Sequence, residues 1–512
     1  MNLNPFYYVP IVALAASALY AGDLDLFANP MATKLKAGVT AEQVKAMDNP
    51  VLRKAAKKML GNKYNKKYRC AVFPAMHNPA ALGEELSIGE GYSFYQGVTG
   101  VILDQGENVV IVDGIPDGVE AAIVVPDWMR RPADESKPTE DPNGWSLKKK
   151  AYPIKNGVNK LNIEKEGLAY VIYFFDDIKD KPALKIHFVN AKVNGYFDGR
   201  KQSNEEWNKL LDNAKYPIMD AIGKYIQVGY PVEAFKKYSY GKGVELIKSY
   251  DDMLQAQYDL MGWTKYNRIP KNRLLSRVNF NYYMFRDNDG VAYMGGPGYL
   301  YAMGLVTDPA VVTKGDPCWG FNHEVGHAHQ LYPHFKWGGM TEVSNNMCSL
   351  YVNILFGSES RLKEGKCYDK ARKEIIESGQ GLLECPNVMS RLVPFWQLQL
   401  YFTREGYKDF YPDLYECFRR QNDVLTMEQR QKHSKNPAVH QLNFVKQACT
   451  IGKTDLTDFF DKWGFFKVGE WEVKDYGTYH YAMSQEMVDA CKAEIKAMNL
   501  PKPAYDPSSC ED

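Results

Sequence analysis

Four of the nine histidines in this sequence lie within sixteen residues, in the stretch GFNHEVGHAHQLYPHF from Gly320 to Phe335. His323 and His327 are four residues apart, so on a helix they would share one face and could bind the same ion. Neutral imidazoles are common zinc ligands, and Glu324 would be placed to take a proton from a water activated by the metal. The HExxH spacing therefore predicts a metal-dependent hydrolase.

A catalytic zinc needs a third protein ligand and one open position. The metzincin pattern is excluded because Gln330 and Pro333 stand where its glycine and third histidine would be. His329 would lie on the wrong side of the helix, and His334 follows Pro333 and could reach the metal only through a loop. Both histidines stay open as alternatives.

Glu342 is the better candidate for the third ligand. It is the only acidic residue between Glu324 and Glu359, and it lies in WGGMTEVSNNMCSLYVNILF, which predicts a long apolar helix with Thr341 as its N-cap. Asn346 would lie on the same face and could hold a ligand histidine by its second ring nitrogen. The alternatives are that Glu342 is simply an acidic residue favoured by the helix dipole in the first turn, and that Asn346 is ordinary polar surface.

The two motifs together resemble the M60 (enhancin-like) family of zinc metallopeptidases. HEVGHAHQ matches that family's gluzincin HExxH with a glutamine shortly after it, and TEVSNNMCSLYV matches its glutamate on a following helix with asparagines behind it. The resemblance extends over about residues 207–463. It implies one zinc ion bound by His323, His327 and Glu342, with Glu324 as the catalytic base. It also implies a secreted or surface protease that acts on glycoproteins, notably mucin-type O-glycosylated chains.

Substrate contacts are predicted upstream of the histidines, in AYMGGPGYLYAM. This segment reads as an edge strand to which a substrate chain could add, since glycines permit a close approach and Pro297 fits an edge; a plain turn is the alternative. The candidate substrate-binding residues are Gly295, Gly296, Gly298 and Tyr299. An oxyanion donor is also needed, and the candidates by chemistry alone are His440, Tyr479 and His480.

The rest of the chain predicts a multidomain α+β protein with four segments. Residues 1–22 read as an export signal, because an apolar run too short to span a bilayer contains Ala-Ser-Ala; no basic residue precedes Lys34, and a buried helix is the alternative. Residues 23–67 predict helices. Residues 68–204 predict a β-sandwich, from short β-branched runs between Gly, Asp and Asn turns. Residues 205–512 predict a mostly helical catalytic domain with a small sheet.

The composition limits the classes of binding partner and metal site that are expected. A formal net charge of +1 gives no reason to expect a nucleic acid, and no apolar run predicts a transmembrane span. None of the nine cysteines forms a C-x-x-C pair, so a cysteine-based zinc site is not expected. Export would permit disulfides, but the sequence does not assign pairs.

These observations predict a secreted or cell-surface zinc endopeptidase that cleaves glycoproteins, with Glu324 as general base. The first alternative is a glycan-binding surface protein whose peptidase domain is inactive, although the intact Glu324 argues against it. The second is a zinc exopeptidase. The oligomeric state is left open.

Overall fold

The structure is a computed structural model, and it describes residues 21–89, 91–295, 300–422 and 435–512. Most of the strands precede Gly295, and helices predominate from Leu300 onward. The strands are β1 Cys70–Phe73, β2 Met76–His77, β3 Gly97–Leu103, β4 Gly106–Asp113, β5 Ala121–Pro126, β6 Lys149–Ile154, β7 Gly157–Ile163, β8 Gly167–Ile172, β9 Phe174–Phe175, β10 Leu184–Phe188, β11 Lys192–Val193, β12 Phe197–Asp198, β13 Ile218–Ile222, β14 Ile226–Pro231, β15 Leu274–Asn279, β16 Met284–Asp287, β17 Gly290–Met294, β18 Gly469–Lys474 and β19 Thr478–Met483.

The helices of the described residues are α1 Ala21–Leu24, α2 Ala41–Lys45, α3 Pro50–Leu60, α4 Pro79–Leu86, α5 Asn204–Asp212, α6 Val232–Tyr238, α7 Gly243–Leu260, α8 Leu300–Thr307, α9 Gly315–His329, α10 Thr341–Leu355, α11 Arg361–Glu364, α12 Cys367–Ala371, α13 Val388–Arg404, α14 Phe410–Asn422, α15 Pro437–Gly452, α16 Thr457–Lys462 and α17 Gln485–Ala497. A π-helical turn, Arg372–Glu377, follows α12. Within the described ranges, none of these helices is both long and apolar enough to cross a membrane.

Two antiparallel sheets form the N-terminal half, with strand orders β1-β10-β4-β7 and β11-β3-β8-β5-β6. Side chains from both sheets meet in one apolar cluster, which includes Val110, Ile123, Val171 and Ile186. The other face of β4 is covered as well, because Val109 packs in a second cluster with residues of the helical segment 23–67. Burial on both faces explains why β4 is a continuous apolar run and not an alternating one.

His187 fixes the N-terminal segment to this sheet. Its buried ring contacts the Met31 carbonyl oxygen through Nδ1 at 2.7 Å and the Tyr64 hydroxyl through Nε2 at 2.6 Å. Burial lowers the pKa of His187 to about 4, so the folded protein holds this ring neutral at a pH where the unfolded chain protonates it.

Acid should therefore destabilise the protein through His187. The free energy of unfolding should fall as pH drops below about 6.5, by about 3 kcal/mol in all once pH reaches the folded-state pKa. Denaturant unfolding at several pH values measures this slope, which should become shallower in His187→Gln. His480→Gln is the matched control, at a side chain that is 65% exposed. An unchanged slope in His187→Gln would assign the acid sensitivity to other groups.

The second half is built on a six-stranded sheet with the order β12-β13-β14-β15-β17-β16. β14, β15 and β17 run parallel, whereas β16 is antiparallel to β17 and forms one edge. The opposite edge is β12, although its residues were assigned from sequence to the preceding segment. Apolar helices from α9 onward pack against this sheet and against one another in the largest core cluster.

Two predictions about the segment before the histidines were wrong. Gly290–Met294 is not an edge strand, because it pairs with β15 on one side and β16 on the other. The residues from Leu300 onward form helix α8 and not a strand. Gly295 is described and donates its N–H to the Asn279 carbonyl, while the candidates Gly296, Gly298 and Tyr299 lie outside the described residues.

The nine cysteines are all free thiols in the structure, and most are buried. The fold therefore rests on apolar packing. The disulfides that the sequence left open are not formed here.

Candidate metal centre

Helix α9 places the predicted residues. The rings of His323 and His327 lie on one face, with centroids 4.8 Å apart. Gly326 lies where α10 crosses, and a Cβ on it would be 2.6 Å from the Asn345 carbonyl oxygen. Only glycine allows the two helices to approach this closely, and that approach brings Glu342 to the histidines.

Glu342 completes a cluster of three donors. Its two carboxylate oxygens lie 3.3 Å from His323 Nε2 and 3.4 Å from His327 Nε2. The donor atoms are all within 4.8 Å of one another, and in the part of the chain that the structure describes no other group of His, Cys, Asp and Glu side chains has this spacing. Two imidazole nitrogens and one carboxylate fit a catalytic zinc site, which leaves the fourth position open.

Each histidine is oriented through its other ring nitrogen. His323 Nδ1 donates to Asn346 Oδ1 at 2.8 Å, and Asn346 in turn donates to the Glu342 carbonyl. His327 Nδ1 donates to Gln330 Oε1 at 3.2 Å, and Gln330 donates to the Thr341 carbonyl. These contacts fix the tautomer in which both Nε2 atoms carry a lone pair toward Glu342. The Asn345 amide nitrogen lies 2.9 Å from His327 Nε2 on the same side and would give way to a bound metal. Asn346 has the contact that the sequence predicted.

A hairpin from the end of the chain closes over Glu342. The Tyr476 hydroxyl, in the turn between β18 and β19, donates to Glu342 Oε1 at 2.7 Å. Its neighbour Asp475 accepts from the backbone N–H groups of Gly339 at 2.8 Å and Thr341 at 3.0 Å. Asp475 therefore caps α10, whereas Thr341, predicted as the cap, is the first helical residue.

A family model described as peptidase M60, enhancin and enhancin-like, matches residues 192–464, which is more than half of the chain. The chain belongs to the M60 family. No curated protein matches the sequence.

Several solved structures share the fold of this M60 chain. A metallopeptidase from Bacteroides thetaiotaomicron is 24% identical, with a TM-score of 0.82 over 98% of this chain and 83% of that one. A metallopeptidase in complex with Tn antigen is 24% identical, with a TM-score of 0.75 over 88% and 81%. The M60 catalytic domain of Clostridium perfringens ZmpC, in complex with the sialyl T antigen, is 16% identical, with a TM-score of 0.63 over 86% and 81%.

Two carboxylates of the M60 site differ in their electrostatics. Burial raises the pKa of Glu324, and the neighbouring histidines oppose that effect only in part. Burial also disfavours the ionised form of Glu342, but the adjacent rings of His323 and His327 outweigh burial and hold the pKa of Glu342 well below its ordinary value. A raised pKa suits a group that takes and returns a proton, and a lowered pKa suits a ligand that must stay ionised.

The alternative ligands lie elsewhere in the M60 chain. His329 is fully buried, with Nδ1 3.2 Å from Gln257 Oε1 and its ring packed against Trp263. His334 is stacked on Phe418. The expectation that either histidine could replace Glu342 finds no support in these contacts.

The three oxyanion candidates have other contacts. His440 is buried, with its ring 6.0 Å from the ring of His334. Tyr479 packs on Gly338 so closely that a Cβ added to Gly338 would lie 2.3 Å from the tyrosine ring. His480 is exposed and lies 3.7 Å from Glu470. Tyr479 and His480 lie in the same hairpin as Tyr476, which the sequence did not indicate, because its contact with Glu342 spans 134 residues and has no local signature.

Proposed function

We propose that this M60 peptidase is a secreted or surface zinc-dependent endopeptidase that cleaves O-glycosylated polypeptides. The observation that carries the proposal is the cluster of His323, His327 and Glu342 beside Glu324. The three clustered residues would hold the ion, which would act as a Lewis acid toward water and the substrate carbonyl. Glu324 would accept the proton of the attacking water and pass it to the leaving amine.

Strand β16 is the part of the sheet to which a substrate chain would add. The Tyr283 carbonyl accepts from Met294 N–H, so by alternation Met284 and Arg286 turn their backbone groups away from β17. In the described residues no strand lies on that outer side. Met284 also contacts α9: a Cβ added to Gly320 would lie only 3.1 Å from the Met284 sulfur. A polypeptide could pair with this open strand edge through an internal segment and so pass beside α9, the helix that carries the histidines. This arrangement supports endopeptidase activity.

Tyr476 is the residue proposed to stabilise the oxyanion. Its hydroxyl reaches the ligand cluster, and its side chain is 87% exposed, so it could turn toward a substrate. Tyr476→Phe should lower kcat by about 10²-fold, the usual effect of losing one such donor, with KM and zinc content little changed. Steady-state kinetics on a short peptide measure this. Tyr240→Phe, another exposed tyrosine bonded to a carboxylate, should behave as wild type, and equal kcat values for both variants would remove Tyr476 from the mechanism.

Glycan recognition is supported by the comparisons and by the surface next to β16. Two of the solved structures that share this fold are complexes, one with Tn antigen and one with the sialyl T antigen. Here Tyr282 and Tyr283 are 46% and 44% exposed between β15 and β16, and Trp145 stacks on Tyr282 at 5.2 Å. Aromatic faces of this kind pack well against sugar rings.

The substrate experiment compares one mucin-type glycopeptide before and after enzymatic deglycosylation. If sugar contacts position the scissile bond, kcat/KM should fall at least about tenfold on the bare peptide. Equal or faster cleavage of the bare peptide would show that glycans are only tolerated. The protein would then be a general metallopeptidase.

We also propose roles for the two parts of the chain that precede the catalytic unit. The two N-terminal sheets, with their shared apolar cluster, are interpreted as a β-sandwich that braces the catalytic sheet. Residues 1–22 are proposed to direct export. Terminal sequencing of the protein recovered outside its native cells would test this, since a retained Met1 would exclude removal of a signal.

A further inference from the structure

A cavity of about 380 Å³ lies between the N-terminal sheets and the six-stranded sheet. It is near the small end of the range for ligand pockets, about 300–1,000 Å³. β12 contributes to its lining, so it lies toward the opposite edge of the sheet from β16 and the metal centre. Its charged lining residues are three cations and one carboxylate, namely Arg200, Lys201, Arg273 and Asp198.

The single carboxylate is already engaged. Arg200 binds Asp198 in a two-pronged contact, with Nε and Nη2 each 2.7 Å from a carboxylate oxygen. Lys201 Nζ shares the same carboxylate at 3.7 Å. Arg273 forms no ion pair with any described residue, so the lining has an excess of positive charge.

Arg273 is held rigidly at the wall of the cavity. Its Nη2 donates to the Gln96 carbonyl at 2.6 Å, and the Gln96 side chain contacts the Arg273 backbone at both its N–H and its carbonyl. Its Nε is buried and has no hydrogen-bond partner among the described residues. Burial, with Arg200 nearby, lowers the pKa of Arg273 to about 10, so it stays charged at neutral pH. The carboxylates of Asp198 and Asp220 act on this partly buried charge without pairing with it directly. A charge compensated only in part is unfavourable, and an anion in the cavity would complete the compensation.

We propose that this cavity binds an acidic saccharide through a carboxylate or sulfate group, with Arg273 and Lys201 as the anion-binding residues. A guanidinium pairs with planar oxyanions through two parallel hydrogen bonds. The rings of Tyr68 and Tyr196, 5.4 Å apart, also line the cavity and offer apolar surface to a sugar. The site is separate from the metal centre, so it does not rest on the proposed peptidase function.

Isothermal titration of the full chain tests the site, because none of the probe sugars contains a peptide bond that the protein could cleave. The probes are 3′-sialyllactose, lactose 6′-sulfate and lactose. At least one anionic sugar should bind at least tenfold more tightly than lactose, and the tighter of the two identifies the anionic group. Equal binding of all three sugars, or no binding, would overturn the proposal.

Variants locate the binding in the cavity. Lys201→Glu reverses a charge on a side chain that is 74% exposed, and Val72→Trp enlarges a lining side chain that is 62% exposed; both should fold. Each should weaken binding at least tenfold, whereas Lys179→Glu, an exposed lysine outside the lining, should not. Arg273→Met should abolish binding if it folds. Wild-type affinity in both Lys201→Glu and Val72→Trp would place the sugar elsewhere and contradict the proposal.

Discussion

Replacing Glu324 with glutamine should lower kcat by at least about 10³-fold, because this one residue would serve as both base and acid and each role contributes about 10²–10⁴-fold. Glutamine keeps the size of the side chain but cannot accept the proton. Glu324 is buried, 6% exposed, and is not among the clustered metal donors, so zinc content and melting temperature should not change.

The measurement is single-turnover cleavage of one glycopeptide, with zinc determined on the same sample. Glu359→Gln is the matched control, since Glu359 is exposed and its ion pair, with Lys363, lies on the surface. Near wild-type cleavage by Glu324→Gln would refute a general-base role. Loss of zinc in the same variant would instead make Glu324 part of the metal site.

Glu342→Ala should lose most of its zinc and, with it, the activity. The carboxylate is the only acidic donor in the cluster, and two imidazoles alone leave the ion half-coordinated. Elemental analysis after dialysis measures the loss. Asn346→Ala makes a graded comparison, because removing a partner that orients a ligand costs roughly 10–100-fold in metal affinity.

Full retention of zinc in Glu342→Ala would assign the third ligand to another residue. His329 and His334, the sequence alternatives, would then have to leave their buried positions against Trp263 and Phe418. That outcome would require a rearranged site, which a crystal structure of the variant would reveal.

The ligand cluster could be predicted from sequence because its geometry is local. His323 and His327 share a helix face by their spacing alone, and Glu342 stands out as the one acidic residue at the start of the next helix. Asn346 follows by the same helical period. The close contact between α9 and α10 requires one further feature, a residue without a side chain at position 326, and the sequence has Gly326 there.

The strand edge proposed to bind substrate could not be predicted in the same way, since its position depends on pairing between distant strands. β16 and β17 are both short and apolar in part, and only the order of the sheet decides that β16 is the edge. Asp475 takes the capping role expected of Thr341 because the hairpin folds back across the sequence. Tyr476 reaches Glu342 by the same return, and neither contact leaves a sequence pattern.

The central claim is best tested by mass spectrometry of the peptides released from one O-glycosylated mucin-type substrate. Wild-type protein should give internal cleavages next to glycosylated residues. A chelator should abolish them, added zinc should restore them, and Glu324→Gln should produce none. Terminal trimming alone would make the protein an exopeptidase, and no cleavage by the zinc-loaded wild type, or cleavage that survives the chelator, would contradict the account.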